Sequence, residues 1–301
     1  MRRHCGNLGL VEVMRENRVS VRSVGTLIVL GLLIGCSHRA PVPVPPARPA
    51  TVDLTVPLPP GPMIHPGESI DAEVRVGEVV AARGTAQVGF ARDAQDLLDV
   101  QIDVHGTGVV ALLRHALMVK RTRFSPETGF PVRYTTEIEL GDKERRFEVV
   151  LGRRKFRYQY FRNYDRTVRG GNRLPTGERA HDAPTAVLML RGWRPHPGTR
   201  GRFYAVAGRR LWQVDVVYEG PVTLVRKREP EERTPAVRYN GRGLRLHPNP
   251  DKRIERKFSI WFSDDERRIP LRAAAETRFG EVHVDTVAYS PPPRGAPGRP
   301  D

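Results

Sequence analysis

Cysteine is nearly absent: the 301 residues hold two, Cys5 and Cys36. That scarcity excludes a disulfide framework and any cysteine-built metal cluster. Long apolar runs are missing as well. The longest, VGTLIVLGLLIG from Val24 to Gly35, stops at twelve residues, short of the about 20 that a bilayer-spanning helix takes. Acidic residues are the minority, 34 against 50 Lys and Arg, which leaves a formal charge of +16. No nucleophile elbow, Ser-His-Asp order or phosphate-binding glycine loop occurs, so no ready-made hydrolase or nucleotide-binding signature is present.

The short apolar run is informative where it stands. Arg15, Arg18 and Arg22 precede it and Cys36 ends it, and its length fits the apolar region of a secretory signal, typically about 7 to 15 residues. Leu33-Ile34-Gly35-Cys36 resembles the lipobox of bacterial lipoproteins. The resemblance implies cleavage before Cys36, with the small Gly35 admitting the extended backbone to the peptidase and the Cys36 thiol accepting a diacylglyceryl group. Two or more acyl chains make a stable membrane anchor where one is marginal, at about 0.8 kcal/mol per buried methylene. Ser37 stands where an aspartate would retain such a protein at the inner membrane, which by the same resemblance implies the outer membrane, facing periplasm or surface. Met14 is a second candidate start.

Composition divides the rest. Many of the 27 prolines crowd between Ala40 and Pro66 and between Pro291 and Pro300, segments with too little apolar surface to fold. The expected organisation is a signal peptide (1–35), a lipidated cysteine and Pro-rich linker (36–66), a β-rich domain (67–290) and a disordered tail (291–301). The segment before Cys36 carries +3 of the charge, so the mature chain keeps +13. After export the neighbouring polyanions are phospholipid headgroups, glycolipids and acidic polymers rather than nucleic acid.

Within 67–290 apolar residues alternate with a period of two, the mark of strands with one wet face. Leu98, Val100, Ile102 and Val104 share a face; Tyr134, Thr136, Ile138 and Leu140 share another, and Gly141-Asp142 turns that strand into Phe147, Val149 and Leu151. Further strands are predicted at Lys155 to Phe161, Phe203 to Ala207, Leu211 to Tyr218, Lys257 to Ser263, Leu271 to Thr277 and Glu281 to Tyr289, with tight reversals at Gly208 and Gly280. Two segments read as helices. Val109, Leu112, Leu113, Ala116 and Leu117 form an i, i+3, i+4, i+7, i+8 stripe in Gly108 to Lys120, and Asp182 caps a short helix that tolerates Pro184 and ends at Gly192. The predicted fold is mainly β: about nine antiparallel strands in a curved sheet or partly open barrel, with two short helices on one face.

Three stretches resemble the domain-of-unknown-function family 3108, exported or envelope-associated bacterial proteins. They are Val109 to Tyr134, which contains the Ser125-to-Pro131 motif; Asp182 to Arg191; and Ile260-Trp261-Phe262-Ser263-Asp264-Asp265-Glu266-Arg267-Arg268-Ile269-Pro270-Leu271, followed by Phe279-Gly280-Glu281-Val282. The resemblance brings no established reaction. It marks Asp182, Arg191, Trp261, Asp264, Asp265 and Pro270 as motif positions of unassigned role and implies a fold akin to the half-barrel of periplasmic lipoprotein carriers. The segment between Arg226 and Lys257 departs from the family and is expected to be a charged loop.

Candidate chemistry is sparse. His181-Asp182 and the same-face pair His283 and Asp285 are two ligands each, too few for a metal site. Asp264-Asp265 invite comparison with paired catalytic carboxylates, but neighbours on a strand point to opposite faces, and a hairpin turn closed by surface ion pairs fits better. Arg153 to Arg166, RRKFRYQYFRNYDR, interleaves aromatics with arginines, which suits nucleic acid or lipid headgroups and equally suits ordinary strand packing. The expectation is a non-enzymatic envelope lipoprotein without cofactor or metal, binding a lipid, glycolipid or envelope protein. An envelope hydrolase using Asp182, Asp264 or Asp265, and a structural accessory of a surface assembly, are the alternatives. Convergence of the carboxylates would favour the first alternative, and a side-chain-filled interior the second.

Overall fold

Alternation of apolar and polar residues builds sixteen strands of one sheet and a single described helix. In the computed structural model, residues 51–53 and 63–293 are described, apart from 109–110, 112–114, 164–165, 176–178, 227–231, 247–253 and 278–279. The lipobox lies outside the described residues. The strands are β1 (Thr51–Asp53), β2 (Ser69–Val76), β3 (Val79–Ala91), β4 (Ala94–Gly106), β5 (Ala116–Phe124), β6 (Pro131–Leu140), β7 (Lys143–Leu151), β8 (Lys155–Arg162), β9 (Arg166–Arg173) and β10 (Ala180–His181). Helix α1 (Ala183–Gly192) follows, then β11 (Arg200–Ala207), β12 (Arg210–Arg226), β13 (Glu232–Arg245), β14 (Glu255–Ser263), β15 (Pro270–Thr277) and β16 (Gly280–Ser290). Strand β1 lies within the predicted linker.

The order across the sheet is β1-β11-β12-β13-β14-β15-β16-β2-β3-β4-β5-β6-β7-β8-β9, with β10 also on β11. Neighbours are antiparallel except β1 and β10, which run parallel to β11. Strands β16 and β2 join the two ends of the described domain, Val284 opposite Val74. Rows of inward residues run across many strands: Tyr239, Ile260, Ala273, Val284, Val74 and Ala82 are successive partners.

The sheet rolls up like a scroll. On β11, Phe203, Ala205 and Ala207 cluster with Ala186, Leu190 and Trp193 of the helix region, whereas Tyr204 and Val206 cluster with Tyr134, Val149 and Phe156 of β6–β8. Burial on both faces explains why Phe203–Ala207 is a continuous apolar run rather than an alternating one. Helix α1 lies inside the roll: Leu190 meets β12–β14, and Leu188 meets Val88, Val100 and Phe124 of β3–β5. Its first turn carries the predicted cap, a reciprocal capping box in which Asp182 accepts from the Thr185 N–H and the Thr185 hydroxyl accepts from the Asp182 N–H, with Pro184 inside the first turn.

Three expectations are corrected. Sixteen strands replace nine. The predicted helix over Gly108 to Lys120 is helical at Gly108 and Ala111 but is a strand from Ala116 on, where Ala116, Met118, Lys120, Thr122 and Phe124 are all buried. Polar Lys120 and Thr122 hide that alternation, and pairing with β4 and β6 outweighs the helical stripe. The segment expected to be a charged loop contains β13, paired along its length with β12 and β14. Ala236, Val237 and Tyr239 are buried there among exposed or half-buried polar residues.

Candidate functional site

Each end of α1 carries a buried ion pair. At the N-terminal end the Asp182 carboxylate, wholly buried, accepts from Lys120 Nζ at 2.8 Å and the Thr122 hydroxyl at 2.5 Å on Oδ2, and from the Thr185 hydroxyl at 2.9 Å on Oδ1. Lys120 also stands over the Tyr134 ring, 3.7 Å from its centroid. Burial alone would push the Asp182 carboxyl up, but the Lys120 charge and the hydrogen bonds from Lys120, Thr122 and Thr185 outweigh it and hold its pKa below the ordinary carboxylate value. Burial, followed by the Asp182 charge, raises the Tyr134 hydroxyl well above its usual value. Tyr134 is therefore a donor, bonded to the Val206 carbonyl at 3.2 Å. His181, also buried, stacks on Phe130 at 4.5 Å.

At the C-terminal end Arg191, 1% exposed, donates through Nη1 to Glu68 at 2.5 Å and through Nε to the Arg267 carbonyl at 2.8 Å. Glu68 also accepts from the Tyr289 hydroxyl at 3.3 Å. Arg191 Nη2 is buried and has no hydrogen-bond partner among the described residues. The carbonyl it uses belongs to the β14–β15 turn. Asp265 holds that turn, its Oδ1 accepting from the Ser263 hydroxyl and from the Arg267 and Arg268 N–H groups.

Between these ends, walled by α1 on one side and by β2–β4 and β14–β16 on the other, lies a cavity of about 240 Å³. Ala72, Val74, Val104, Ile260, Val282 and Val284 supply much of its apolar wall, and the charged residues that reach it are Glu68, Lys120, Arg191 and Arg272. Arg272 is paired with buried Asp285 at 2.6 Å. A larger concavity, about 720 Å³, runs along β11–β15. Charged residues line it, among them Asp215, which pairs with Arg202 at 2.6 Å and with Arg242 at 3.6 Å. The smaller cavity has the more continuous apolar wall and is the better candidate.

The motif positions divide accordingly. Arg191 and Pro270 line the cavity, and Asp182 secures the neighbouring Lys120. Asp265 shapes the turn that braces Arg191, Asp264 is exposed beside it, and Trp261 lies under Arg238. Asp264 and Asp265 sit in an exposed turn while Asp182 is enclosed with Lys120, so the three carboxylates share no cleft. His283 and Asp285 are engaged separately, with Glu281 and Arg272. Among the described residues, no three His, Cys, Asp or Glu side chains assemble as metal ligands. In β8 the stretch from Arg153 onward resolves by alternation: Phe156 is fully buried and Tyr158 packs beside it, while Lys155 and Arg157 are exposed. The sequence reading missed Glu68, at the edge of the linker, and Lys120 and Thr122, concealed in the misread helix.

These features define a mainly β, scrolled-sheet protein with an internal helix and an apolar cavity. The family model for the protein of unknown function DUF3108 matches residues 71–287, and the chain belongs to that family. A search of curated proteins finds no match. Among solved structures, the chain is similar to a β-barrel-like protein of the domain-of-unknown-function family 1849 from Brucella abortus, at 9% identity and TM-score 0.48 over 74% of this chain and 97% of that one. It is also similar to a candidate exported protein with a YmcC-like fold from Bacteroides fragilis, at 8% identity and TM-score 0.32 over 76% and 99% of the two chains. A candidate lipoprotein from Parabacteroides distasonis matches at 7% identity and TM-score 0.27, over 76% and 97%.

Proposed function

We propose that this chain is an envelope lipoprotein, cleaved before Cys36 and tethered by lipid on that residue, whose scrolled domain shelters a single acyl chain beside α1. The observation that carries the reading is the cavity of about 240 Å³ with its almost continuous aliphatic wall. A filled interior would have favoured a structural accessory. The volume falls below the about 300–1,000 Å³ of pockets for drug-sized ligands, which suits one chain better than the two of a phospholipid. Each methylene that leaves water for such a wall contributes about 0.8 kcal/mol. The basic surface complements anionic headgroups at the membrane where the tether would hold the domain.

The chain, expressed in a Gram-negative host and purified from its envelope, is to be extracted and the released lipids weighed by mass spectrometry. A stoichiometric acyl lipid beyond that attached to Cys36 supports the reading; a protein free of such lipid refutes it. Cys36→Ser tests the tether separately and should move the chain out of the membrane fraction.

A further inference from the structure

One free edge of the sheet is the β8–β9 hairpin, and it is strongly basic. Arg153 to Arg173 carries eight Lys or Arg against Asp165 alone, a net +7 of the chain's formal +16. Arg153, Arg154, Lys155, Arg157, Arg169 and Arg173 are exposed, and none of these side chains makes an ion pair among the described residues. The register gathers them on the outer face: Lys155 stands opposite Arg173, and Arg157 opposite Gly171, between Arg169 and Arg173. Like charges set directly opposite each other destabilise a sheet. Glu148, opposite Gln159, gives no relief, because Arg146 engages it at 2.7 Å. An anion from outside would relieve the repulsion.

We propose that this face docks on the anionic headgroups of the membrane that holds the tether. The choice of partner rests on the tether reading, and the hairpin itself favours a lipid surface over nucleic acid. Most aromatics interleaved with the cations point to the opposite side: Phe156 is buried, Tyr158 lies against Gly170, and Tyr160 stacks on Phe147 at 4.7 Å. Of these rings Phe161 alone shares the basic face, which leaves little for bases to stack on. The cations are accompanied instead by an aliphatic side chain, Val150, 55% exposed and in one row with Arg133 and Arg157, an arrangement suited to the headgroup boundary. Strand β1 carries the linker onto β11, the strand that β6–β8 overlie. The fifteen residues back to Cys36 span at most about 50 Å, so a tethered domain stays within reach of headgroups.

The test takes the processed chain without its lipid, Ser37 to Asp301, which retains every described residue. It is floated with vesicles of phosphatidylcholine alone or of an equal mixture with phosphatidylglycerol, in about 0.1 M salt. The chain should bind the mixed vesicles and leave the phosphatidylcholine ones. Each cation near such a surface is worth about fivefold in partition, so Lys155→Gln with Arg157→Gln and Arg173→Gln should weaken binding about a hundredfold. Arg83→Gln with Arg92→Gln and Arg267→Gln removes the same charge from exposed positions four or more strands from β8 in the sheet order. Beyond the screening length of about 10 Å, these should change binding by no more than about threefold. Both variants alter exposed side chains and should keep the parent's urea midpoint. Equal binding to the two vesicle types, equal losses in the two variants, or tighter binding of a single-stranded oligonucleotide than of mixed vesicles at the same phosphate concentration overturns the assignment. None of these results bears on the tether, which fractionation of Cys36→Ser tests, or on the cavity.

Discussion

The two ends of helix α1 carry the same kind of feature, a buried ion pair, and differ in how completely it is satisfied. At the Asp182 end, Lys120, Thr122 and Thr185 together engage both carboxylate oxygens, and the cation is further covered by the Tyr134 ring. At the Arg191 end the guanidinium spends Nη1 on Glu68 and Nε on the Arg267 carbonyl, and Nη2 is sealed in without a hydrogen bond among the described residues. Saturated polar networks fix a structure. The helix therefore has one end whose ion pair is fully bonded and one whose ion pair is not.

Breaking the Asp182 pair should have the largest effect. Lys120→Met leaves the Asp182 carboxylate buried without its cation and should lower unfolding stability by about 3–5 kcal/mol in urea titrations. Acid should act at the same place. The folded pKa of Asp182 lies below its unfolded value of about 3.9, so the pairing contributes its full stability above that value and loses it as the pH falls through the folded one. Asp182→Asn, less stable at neutral pH, should therefore converge on the parent chain in acid. Thr122→Val removes one hydrogen bond to the carboxylate and should cost about 1.5–3 kcal/mol.

The Arg191 end should respond differently. Glu68→Met with Arg191→Met removes both charges at once and should change stability by about 1 kcal/mol or less. Arg146→Ala sharpens the contrast from outside: its pairs with Glu137 and Glu148 are solvent-exposed, and the change should stay within about 0.5 kcal/mol. A stability loss at the Arg191 end as large as that of Lys120→Met would erase the distinction between the two ends.

Much of the scroll was legible in the sequence because alternation survives wherever a strand has one wet face. The hairpin turned by Gly141-Asp142, the reversals at Gly208 and Gly280 and the helix opened by Asp182 all stand as read. Legibility failed where polar residues point inward. Lys120 and Thr122 face the interior because Asp182, about sixty residues on, is there to receive them, and no local pattern announces such a partner. Strand β13 was obscured by its charge: Arg238 and Arg242 are matched by Glu219 and Asp215 on the neighbouring strand, so a charged segment became strand rather than loop. For the candidate site, Arg191 and Pro270 were marked by family resemblance, but their shared cavity depends on β2, β15 and β16 meeting, which only the rolled sheet accomplishes.

The most direct test of the acyl-chain cavity is a crystal structure of the chain grown with an ω-bromo acyl methyl ester, with bromine located by anomalous scattering. The account predicts the bromine inside the cavity between α1 and strands β2–β4 and β14–β16. Bromine on the outer surface alone would contradict it.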